Sequence, residues 1–389
     1  MRFATMTDNP SLVYCNNAAS TWPKPPEVID AVLESLRLPY FEAGRSTIRG
    51  LHDYPEICRD TIADFFRYKE PDHVVFTQNA TDSLNILIHG FTRGMKGKFH
   101  VITSDLEHNS VLRPLMTLKQ EGKIDVSIVP SETGVISLKA VSSTIRKDTR
   151  MAVISHGSNV VGSVQDLTGI GNIFRDHDIF CIVDGAQTAG LIPVDLGKMM
   201  PDAFVFTGHK YLFGLPGIGG FVIRDPSRVL PVKQGGTGVD SGSLLQSEEM
   251  PERFEAGTHN YPGIVSLCAG TRYVRKITIP EIERKTREMT ALIINHLNEL
   301  NNVRVDNPSP DLPVISFHID PLDCDDVGLI LLKNYQIVVR TGLHCAPLIH
   351  ERIDGGDGSV RISLSYLNTM DQCGYVADAI AEVAQSADC

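Results

Sequence analysis

A lysine directly after a short apolar run is the residue whose position most suggests covalent chemistry. The run 203–206 has the composition of a buried strand, and Thr207, Gly208, His209 and Lys210 follow it at once. Open α/β sheets bind ligands at the carboxyl ends of their strands, where an ammonium without a partner is costly. Lys210 can lose its charge there by forming an imine with a carbonyl compound. The alternative is a surface Lys whose stem packs on apolar groups.

A carboxylate closes the preceding predicted strand. Residues 179–184 are apolar up to Asp184, and small residues follow in the motif Asp-Gly-Ala-Gln at 184–187. An Asp at the end of a buried strand needs a partner, such as a pyridinium N–H, a metal ion or an Arg. An Asp that holds a ring nitrogen and a Lys that forms an imine are the two parts of a pyridoxal phosphate site.

Three further polar clusters follow predicted strands. Residues 78–83 precede a helix, whose free N–H groups bind anions, although ordinary N-capping explains the same pattern. His108, within 105–109, can stack on a flat ring or transfer a proton, or it can be a hydrogen-bonded loop His. Asn159, at the end of 155–159, can donate to a phenolate-type oxygen or form part of a turn.

Composition narrows the class of protein. A chain of 389 residues predicts two lobes. The net charge of −11 argues against nucleic acid as the main partner and against an anionic membrane surface. The amino-terminal residues lack a signal-peptide core, and no apolar run reaches membrane-spanning length. We therefore expect a cytoplasmic protein whose eight Cys are reduced.

Short apolar runs alternate with amphipathic stretches through the first part of the chain. This alternation predicts βαβ units and a mostly parallel sheet covered on both faces. The predicted strands are 73–77, 99–103, 125–129, 151–155, 179–184, 203–206 and 219–223.

A second, smaller α/β lobe is predicted toward the carboxyl terminus. A Gly-rich, polar stretch at 234–257 separates it from the first lobe. We predict a large domain at 15–260 and a small domain formed by 1–14 and 261–389. Residues 44–52 are predicted to form an ordered loop. The helices and strands predicted from 261 onward are 264–276, 280–301, 314–318, 325–334, 337–340, 360–364 and 370–384.

Taken together, these motifs resemble a known family. Asp-Gly-Ala-Gln at 184–187, Thr-Gly-His-Lys at 207–210 and Arg-Phe-Glu-Ala-Gly-Thr at 253–258 resemble the class V aminotransferase group of fold-type I pyridoxal phosphate enzymes. Arg-Thr-Gly-Leu-His-Cys at 340–345 and Val-Arg-Ile-Ser-Leu at 360–364 narrow the resemblance to cysteine desulfurases. The resemblance implies a large, mostly parallel seven-stranded sheet domain and a smaller carboxyl-terminal α/β domain.

The resemblance implies roles for the residues that match the family's cofactor site. Lys210 forms the imine with pyridoxal 5'-phosphate, and Asp184 holds the pyridine nitrogen. The other implied contacts are Gln187 and Asn159 at the phenolic oxygen, His108 on the ring face, and Ala80 (through its amide), Thr81, Thr207, His209 and Thr258 at the phosphate. Thr258 is implied to reach the site of the other subunit, so a homodimer is expected.

The resemblance also implies how the substrate is handled. Cys345 is the nucleophile, and Arg361 clamps the substrate carboxylate by a bidentate pair, with Asn159 nearby. An ordinary structural Cys is the alternative for Cys345. However, it follows His344, lies shortly after Arg340 and precedes a Pro, and a nearby cation favours a thiolate. The short interval to Arg361 resembles the type II subgroup.

Some features depart from the family pattern or suggest metals. Leu343 stands where type II members often carry a second His, and Tyr261-Pro262 stands where small residues are expected. The acidic, Gly-rich segment 354–359 hints at a calcium loop but lacks EF-hand spacing. His344, Cys345 and His350 hint at zinc, without a second Cys/His pair at structural spacing. We therefore expect no metal site.

The implied reaction converts L-cysteine to L-alanine and leaves a persulfide on Cys345, with Lys210 and His108 as the other catalytic residues. The sulfur then passes to an acceptor protein, a form of sulfur mobilisation that serves iron–sulfur cluster assembly. Open alternatives on the same scaffold are a selenocysteine lyase acting on L-selenocysteine, a cysteine β-eliminating lyase and a transaminase. An alternative of another class is a non-catalytic sulfur-pathway partner that kept the fold.

Overall fold

The structure is a computed structural model that describes residues 12–39, 53–239 and 241–387. The loop predicted at 44–52 lies outside the described residues. The described chain divides into two compact units. The larger unit contains residues 23–158 and 163–283, and the smaller unit contains 12–22, 159–162 and 284–387.

The strands carry the apolar runs of the sequence. In chain order they are β1 (Val13–Tyr14), β2 (Val74–Thr77), β3 (Phe99–Ser104), β4 (Ile124–Val129), β5 (Thr149–Ser155), β6 (Phe180–Asp184), β7 (Ala203–Thr207), β8 (Gly219–Ile223), β9 (Val303–Val305), β10 (Val314–Ile319), β11 (Ile337–Val338), β12 (Arg340–Gly342) and β13 (Ser359–Ser363).

The helices lie between most of these strands. In chain order they are α1 (Pro26–Ser35), α2 (Tyr54–Phe65), α3 (Ala80–Gly94), α4 (Asn109–Gln120), α5 (Leu138–Thr144), α6 (Leu167–Asp176), α7 (Leu196–Met199), α8 (Tyr261–Ile277), α9 (Ile279–Leu297), α10 (Cys324–Tyr335), α11 (Pro347–Ile353) and α12 (Met370–Ala387). Among the described residues, no helix combines the length and the apolar character needed to span a membrane.

The larger unit is built on a seven-stranded sheet of order β2-β8-β7-β6-β5-β3-β4. Only β8 runs antiparallel to its neighbours, so the other six strands end at the same edge. Every residue of β2, β3, β6, β7 and β8 is buried, as expected of strands covered by helices on both faces. The mostly parallel seven-stranded sheet predicted from the apolar runs is confirmed.

The smaller unit has its own sheet and core. Strands β12-β13-β10-β9 form an antiparallel sheet, and β1 pairs in parallel with β11. Apolar side chains of α9, α10 and α12 complete the core. Three elements here were not predicted: β1, in a segment without visible periodicity, the short strand β9, and α11, which begins directly after the Cys345 loop.

The observed division of the chain differs from the predicted boundary at 260/261. Helix α8 belongs to the larger unit, because it packs against α1 and α2 and buries Leu267 and Val274. The division falls within α9, at Glu283/Arg284. The smaller unit also includes residues 15–22 and 159–162, which the prediction had placed in the large domain.

Candidate active site

Most residues predicted to hold the cofactor lie in the larger unit, at the edge where its parallel strands end. This edge is the usual ligand-binding side of an open α/β sheet. The predicted residues found there are Ala80 and Thr81 after β2, His108 after β3, Asp184 and Gln187 at the end of β6, and Thr207, His209 and Lys210 at the end of β7.

Asp184 is a buried carboxylate that needs a positive or donating partner. Its residue is 6% exposed, and the backbone N–H of Ala186 donates to it over 2.9 Å. Burial raises the pKa of the Asp184 carboxyl, while Ala186 and the charge of Lys210 act in the opposite direction. The carboxylate form is therefore favoured when a second N–H or cation reaches it.

The end of β7 has the character of an anion site. The Thr207 side-chain hydroxyl is buried and has no hydrogen-bond partner among the described residues. Lys24 donates from Nζ to the His209 carbonyl over 3.0 Å. Burial, together with the charges of Lys210 and Lys24, lowers the pKa of His209 to about 4. An anion here would satisfy the hydroxyl and balance the two amines.

His108 is held in a defined tautomer at the start of α4. It is the N-cap residue of that helix, and its Nδ1 accepts from the Ser110 backbone N–H over 3.0 Å. Because Nδ1 accepts, the proton of the neutral ring lies on Nε2. Its imidazole is partly exposed, so the ring can contact a ligand.

Glu107 is a buried acid at this edge that the sequence did not reveal. One carboxyl oxygen accepts from Ser104 Oγ over 2.7 Å and from the Ser155 backbone N–H over 2.9 Å. Burial, assisted by the charge of Asp184, raises the pKa of Glu107 to about 8. Glu107 is therefore mostly protonated at neutral pH. The available signal was its position beside His108, directly after a strand.

Thr258 lies on the exposed segment before α8, close to the end of β2. It lines a pocket of about 160 Å³ together with Thr77, Gln78 and Lys233. The unexpected pair Tyr261-Pro262 has a local explanation, since it forms the first turn of α8 after the N-cap Asn260, where Pro is favoured. The predicted role of Thr258 in a partner's site stays a prediction.

The smaller unit carries the predicted nucleophile. Arg340 donates from Nη2 to Cys345 Sγ over 3.1 Å, and Cys345 is partly exposed. The guanidinium of Arg340 thus holds the Cys345 sulfur in place at one side of the loop. Arg340 of β12 lies opposite Arg361 of β13, so two cationic residues lie on adjacent strands beside the Cys345 loop.

Arg361 is fully buried and held from two sides. Its Nη1 donates to the Asn159 carbonyl over 2.9 Å, and its Nη2 donates to Asn16 Oδ1 over 3.1 Å. The Asn159 side chain in turn donates to the His344 carbonyl over 2.8 Å. Asn159 thus joins Arg361 to the Cys345 loop, an arrangement not anticipated from the sequence, which also gave no role to Asn16.

Comparison with known proteins gives the family. A sequence profile described as Aminotransferase class-V matches residues 13–376. A probable cysteine desulfurase of Methanothermobacter thermautotrophicus is 31% identical over 382 residues, covering 95% of this chain and 94% of the relative. A cysteine desulfurase of Salmonella newport is 30% identical over 377 residues, covering 93% of this chain and 90% of the relative.

Solved structures agree with this assignment. The apo structure of cysteine desulfurase from Thermococcus onnurineus NA1 superposes with a TM-score of 0.87 at 30% identity, covering 96% of this chain and 95% of that one. The cysteine desulfurase CsdA of Escherichia coli has a TM-score of 0.88 at 24% identity with the same coverage, which supports the fold. The predicted fold type I is confirmed, and class V aminotransferases are pyridoxal phosphate enzymes. The chain therefore belongs to the class V aminotransferase family.

Proposed function

We propose that this protein is a pyridoxal phosphate-dependent cysteine desulfurase, which converts L-cysteine to L-alanine and holds the sulfur as a persulfide on Cys345. The contact between Arg340 and Cys345 Sγ supports this proposal most directly. Transamination does not require a cysteine nucleophile, so a cysteine sulfur held against a guanidinium favours the desulfurase over a transaminase. Relatives named cysteine desulfurase that align over almost the whole chain support the same activity.

The residues of the larger unit fit pyridoxal phosphate. The unpartnered, buried hydroxyl of Thr207 suits a phosphate oxygen, and the buried carboxylate of Asp184 suits a pyridine N–H. When bound to Lys210, the cofactor supplies an electron sink that weakens the bonds at the substrate Cα. Asp184 keeps the ring nitrogen protonated, which that sink requires.

The other cofactor contacts follow from the same assignment. In the loaded site, the His108 ring would lie on the cofactor, and Gln187 and Asn159 would donate to its phenolic oxygen. Phosphate ligands in this proposal are the Ala80 amide, Thr81, Thr207 and His209 of one subunit and Thr258 of a second copy.

The side chains of this chain then divide the reaction between them. Arg361 binds the substrate carboxylate as a bidentate pair, which fixes the substrate's orientation. The Lys210 amine takes the Cα proton, and His108 takes the proton of the substrate thiol. The Cys345 thiolate attacks the substrate sulfur, so an S–S bond forms while the Cβ–S bond breaks. The Cβ keeps the electron pair and takes up a proton, and Lys210 returns the proton to Cα. The product is alanine, so no external oxidant is needed.

We further propose that the sulfur leaves Cys345 for an acceptor thiol, in a homodimer located in the cytoplasm. A half-exposed Cys345 is compatible with transfer to a second protein. Iron–sulfur cluster assembly is the kind of pathway that consumes sulfur in this form.

Mass spectrometry of Cys345 after incubation with L-cysteine tests the proposal. We expect one added sulfur on the Cys345 peptide and stoichiometric alanine. Cys345→Ser should lower alanine formation by about three orders of magnitude or more, because the nucleophile is removed. Its visible absorbance with cofactor should persist, since Lys210 is unchanged.

Other outcomes identify the alternatives. Undiminished alanine formation by Cys345→Ser would exclude the persulfide mechanism. Activity retained only on selenocysteine would indicate a lyase, and pyruvate with sulfide would indicate β-elimination. A wild-type protein that gains no visible band with cofactor would be a non-catalytic partner.

A further inference from the structure

The backbone of the Cys345 loop is held in an unfavourable conformation. His344 and Cys345 are consecutive residues with φ of 48° and 61°. This left-handed region is unfavourable for residues other than Gly, and such strain persists only where surrounding contacts enforce it. The neighbouring contacts of His344 therefore decide whether the Cys345 sulfur stays at Arg340.

Two of these contacts are ordinary hydrogen bonds. The His344 carbonyl accepts from Asn159 Nδ2, and His344 Nε2 lies 3.1 Å from Ser359 Oγ. The imidazole is 1% exposed. Burial is the main cause that lowers the pKa of His344 to about 2, and electrostatic interactions with Arg361, His350 and Arg340 contribute to it. The His344 ring is therefore neutral.

The third contact is a buried histidine–aspartate pair. The His350 ring lies against the His344 ring, with 5.3 Å between ring centroids. His350 Nδ1 lies 2.6 Å from Asp354 Oδ2, and the two side chains are 0% and 2% exposed. The carboxylate fixes the His350 ring in one orientation, as a carboxylate does for other functional histidines.

Two buried nitrogen atoms accompany this packing. Within the described residues, neither His344 Nδ1 nor His350 Nε2 has a hydrogen-bond partner. A pair of buried polar atoms left without partners is costly, so the arrangement is not one that stability alone selects. Apolar side chains would fill the same space at lower cost.

The Gly-rich segment after α11 connects the His350–Asp354 pair to the Cys345 loop. Asp354 ends α11, and Gly356 N–H donates to its carboxylate over 3.0 Å. Gly358 has φ of 85°, and a Cβ there would lie 2.8 Å from the Gly342 carbonyl carbon. The segment that resembled a calcium loop thus supports Asp354 and packs on the strand leading to Cys345.

We propose that His350, oriented by Asp354, is a positioning residue that holds the left-handed His344–Cys345 segment so that the Cys345 sulfur stays at Arg340. The proposal rests on the proposed role of Cys345 as the nucleophile. It also gives a structural role to the two sequence patterns that suggested metal sites, namely the segment 354–359 and the set His344, Cys345 and His350.

Alkylation of the holoenzyme by iodoacetamide, without substrate, tests this role. Peptide mass spectrometry follows Cys345, and the partly exposed Cys324 serves as an internal reference thiol. We expect His350→Ala to slow Cys345 alkylation about tenfold relative to Cys324, because the Cys345 sulfur loses its contact with the Arg340 guanidinium. Asp354→Asn should slow it about threefold or more, because the amide weakens the hold on the ring.

Two further variants separate positioning from general loosening. His350→Asn keeps a donor near the Nδ1 position and should recover at least half of the wild-type rate. His318→Asn is the matched control, since His318 lies 3.1 Å from Asp306 in the same unit and should leave the rate unchanged. These variants, with Asp354→Asn, carry the test if His350→Ala does not fold.

The proposal is overturned if Cys345 in the His350 and Asp354 variants reacts at the wild-type rate or faster. It is also overturned if His318→Asn slows the reaction equally. Absence of alanine formation by the wild-type protein would instead refute the proposed function, while the alkylation rates would still report on the loop.

Discussion

Glu107 shows at the residue scale how burial sets a charge state. Its carboxyl accepts from Ser104 and from the Ser155 backbone, yet its other oxygen has no partner among the described residues. Burial dominates and raises the pKa of Glu107 to about 8. A neutral Glu107 beside His108 adds no negative charge near Asp184, whose carboxyl lies at the same edge.

Glu107→Gln should therefore gain stability relative to the wild type as the pH rises. The folded pKa of about 8 exceeds the unfolded value. The stability that Glu107 contributes is therefore fully present below about pH 4.3 and declines up to the folded pKa, by at most ~1.4 kcal/mol per pH unit. The neutral amide has no such dependence. Urea unfolding followed by circular dichroism at pH 5, 6, 7 and 8 measures the difference. A constant difference across this range would show that Glu107 is ionised in the folded protein.

At the scale of elements, two glycines allow neighbouring backbone segments to pack closely against the residues after Lys210. A Cβ at Gly190 would lie 2.3 Å from the Tyr211 carbonyl oxygen, and one at Gly270 of α8 would lie 2.0 Å from the Leu212 carbonyl oxygen. Helix α8 therefore touches the backbone that carries Lys210. Gly374 in α12 is the contrasting case, since a Cβ there meets nothing within 4 Å.

The same substitution should have opposite effects in these two helices. Gly270→Ala should destabilise by about 2–3 kcal/mol, because the methyl group overlaps backbone atoms. Gly374→Ala should stabilise by about 0.5–1 kcal/mol, because it restricts the unfolded chain at no steric cost. Thermal unfolding followed by circular dichroism compares both with the wild type. Shifts in the same direction would contradict the packing described for one of the helices.

At the scale of the whole molecule, the proposed dimer makes Thr258 a residue of a shared site. Thr258 is exposed on its own chain, in a segment that also exposes Leu244 and Leu245 at 101% and 83%. Adjacent exposed apolar side chains are a feature of interaction surfaces. Their exposure supports an assembly in which this segment meets a second copy.

Co-expression of Lys210→Ala with Thr258→Ala tests the shared site. If Thr258 serves the partner's cofactor, each hybrid dimer has one intact site, and random mixing restores about a quarter of the wild-type alanine formation at limiting cofactor. Each variant co-expressed with itself provides the baseline. Activity of the mixture no higher than the mean of these baselines would place Thr258 in its own subunit's site.

Much of the fold could be predicted because buried parallel strands are continuous apolar runs. The seven strands of the large sheet were all anticipated to within a few residues. Strand β1 was not, because two residues show no period and become a strand only by pairing with β11. Helix α11 was not predicted, although Pro347 stands in its first turn, where Pro is favoured.

The sequence by itself determined the family and the set of reactive groups, because residue types and short spacings carry that information. It named Lys210, Asp184, Cys345 and Arg361 without any contact being known. Only the tertiary structure decided which residues surround these groups and which charge states occur there. Examples are the proton on Glu107 and the contacts by which His350 and Asp354 hold the Cys345 loop. Those properties depend on burial and on distances between residues remote in the chain, which no local pattern records.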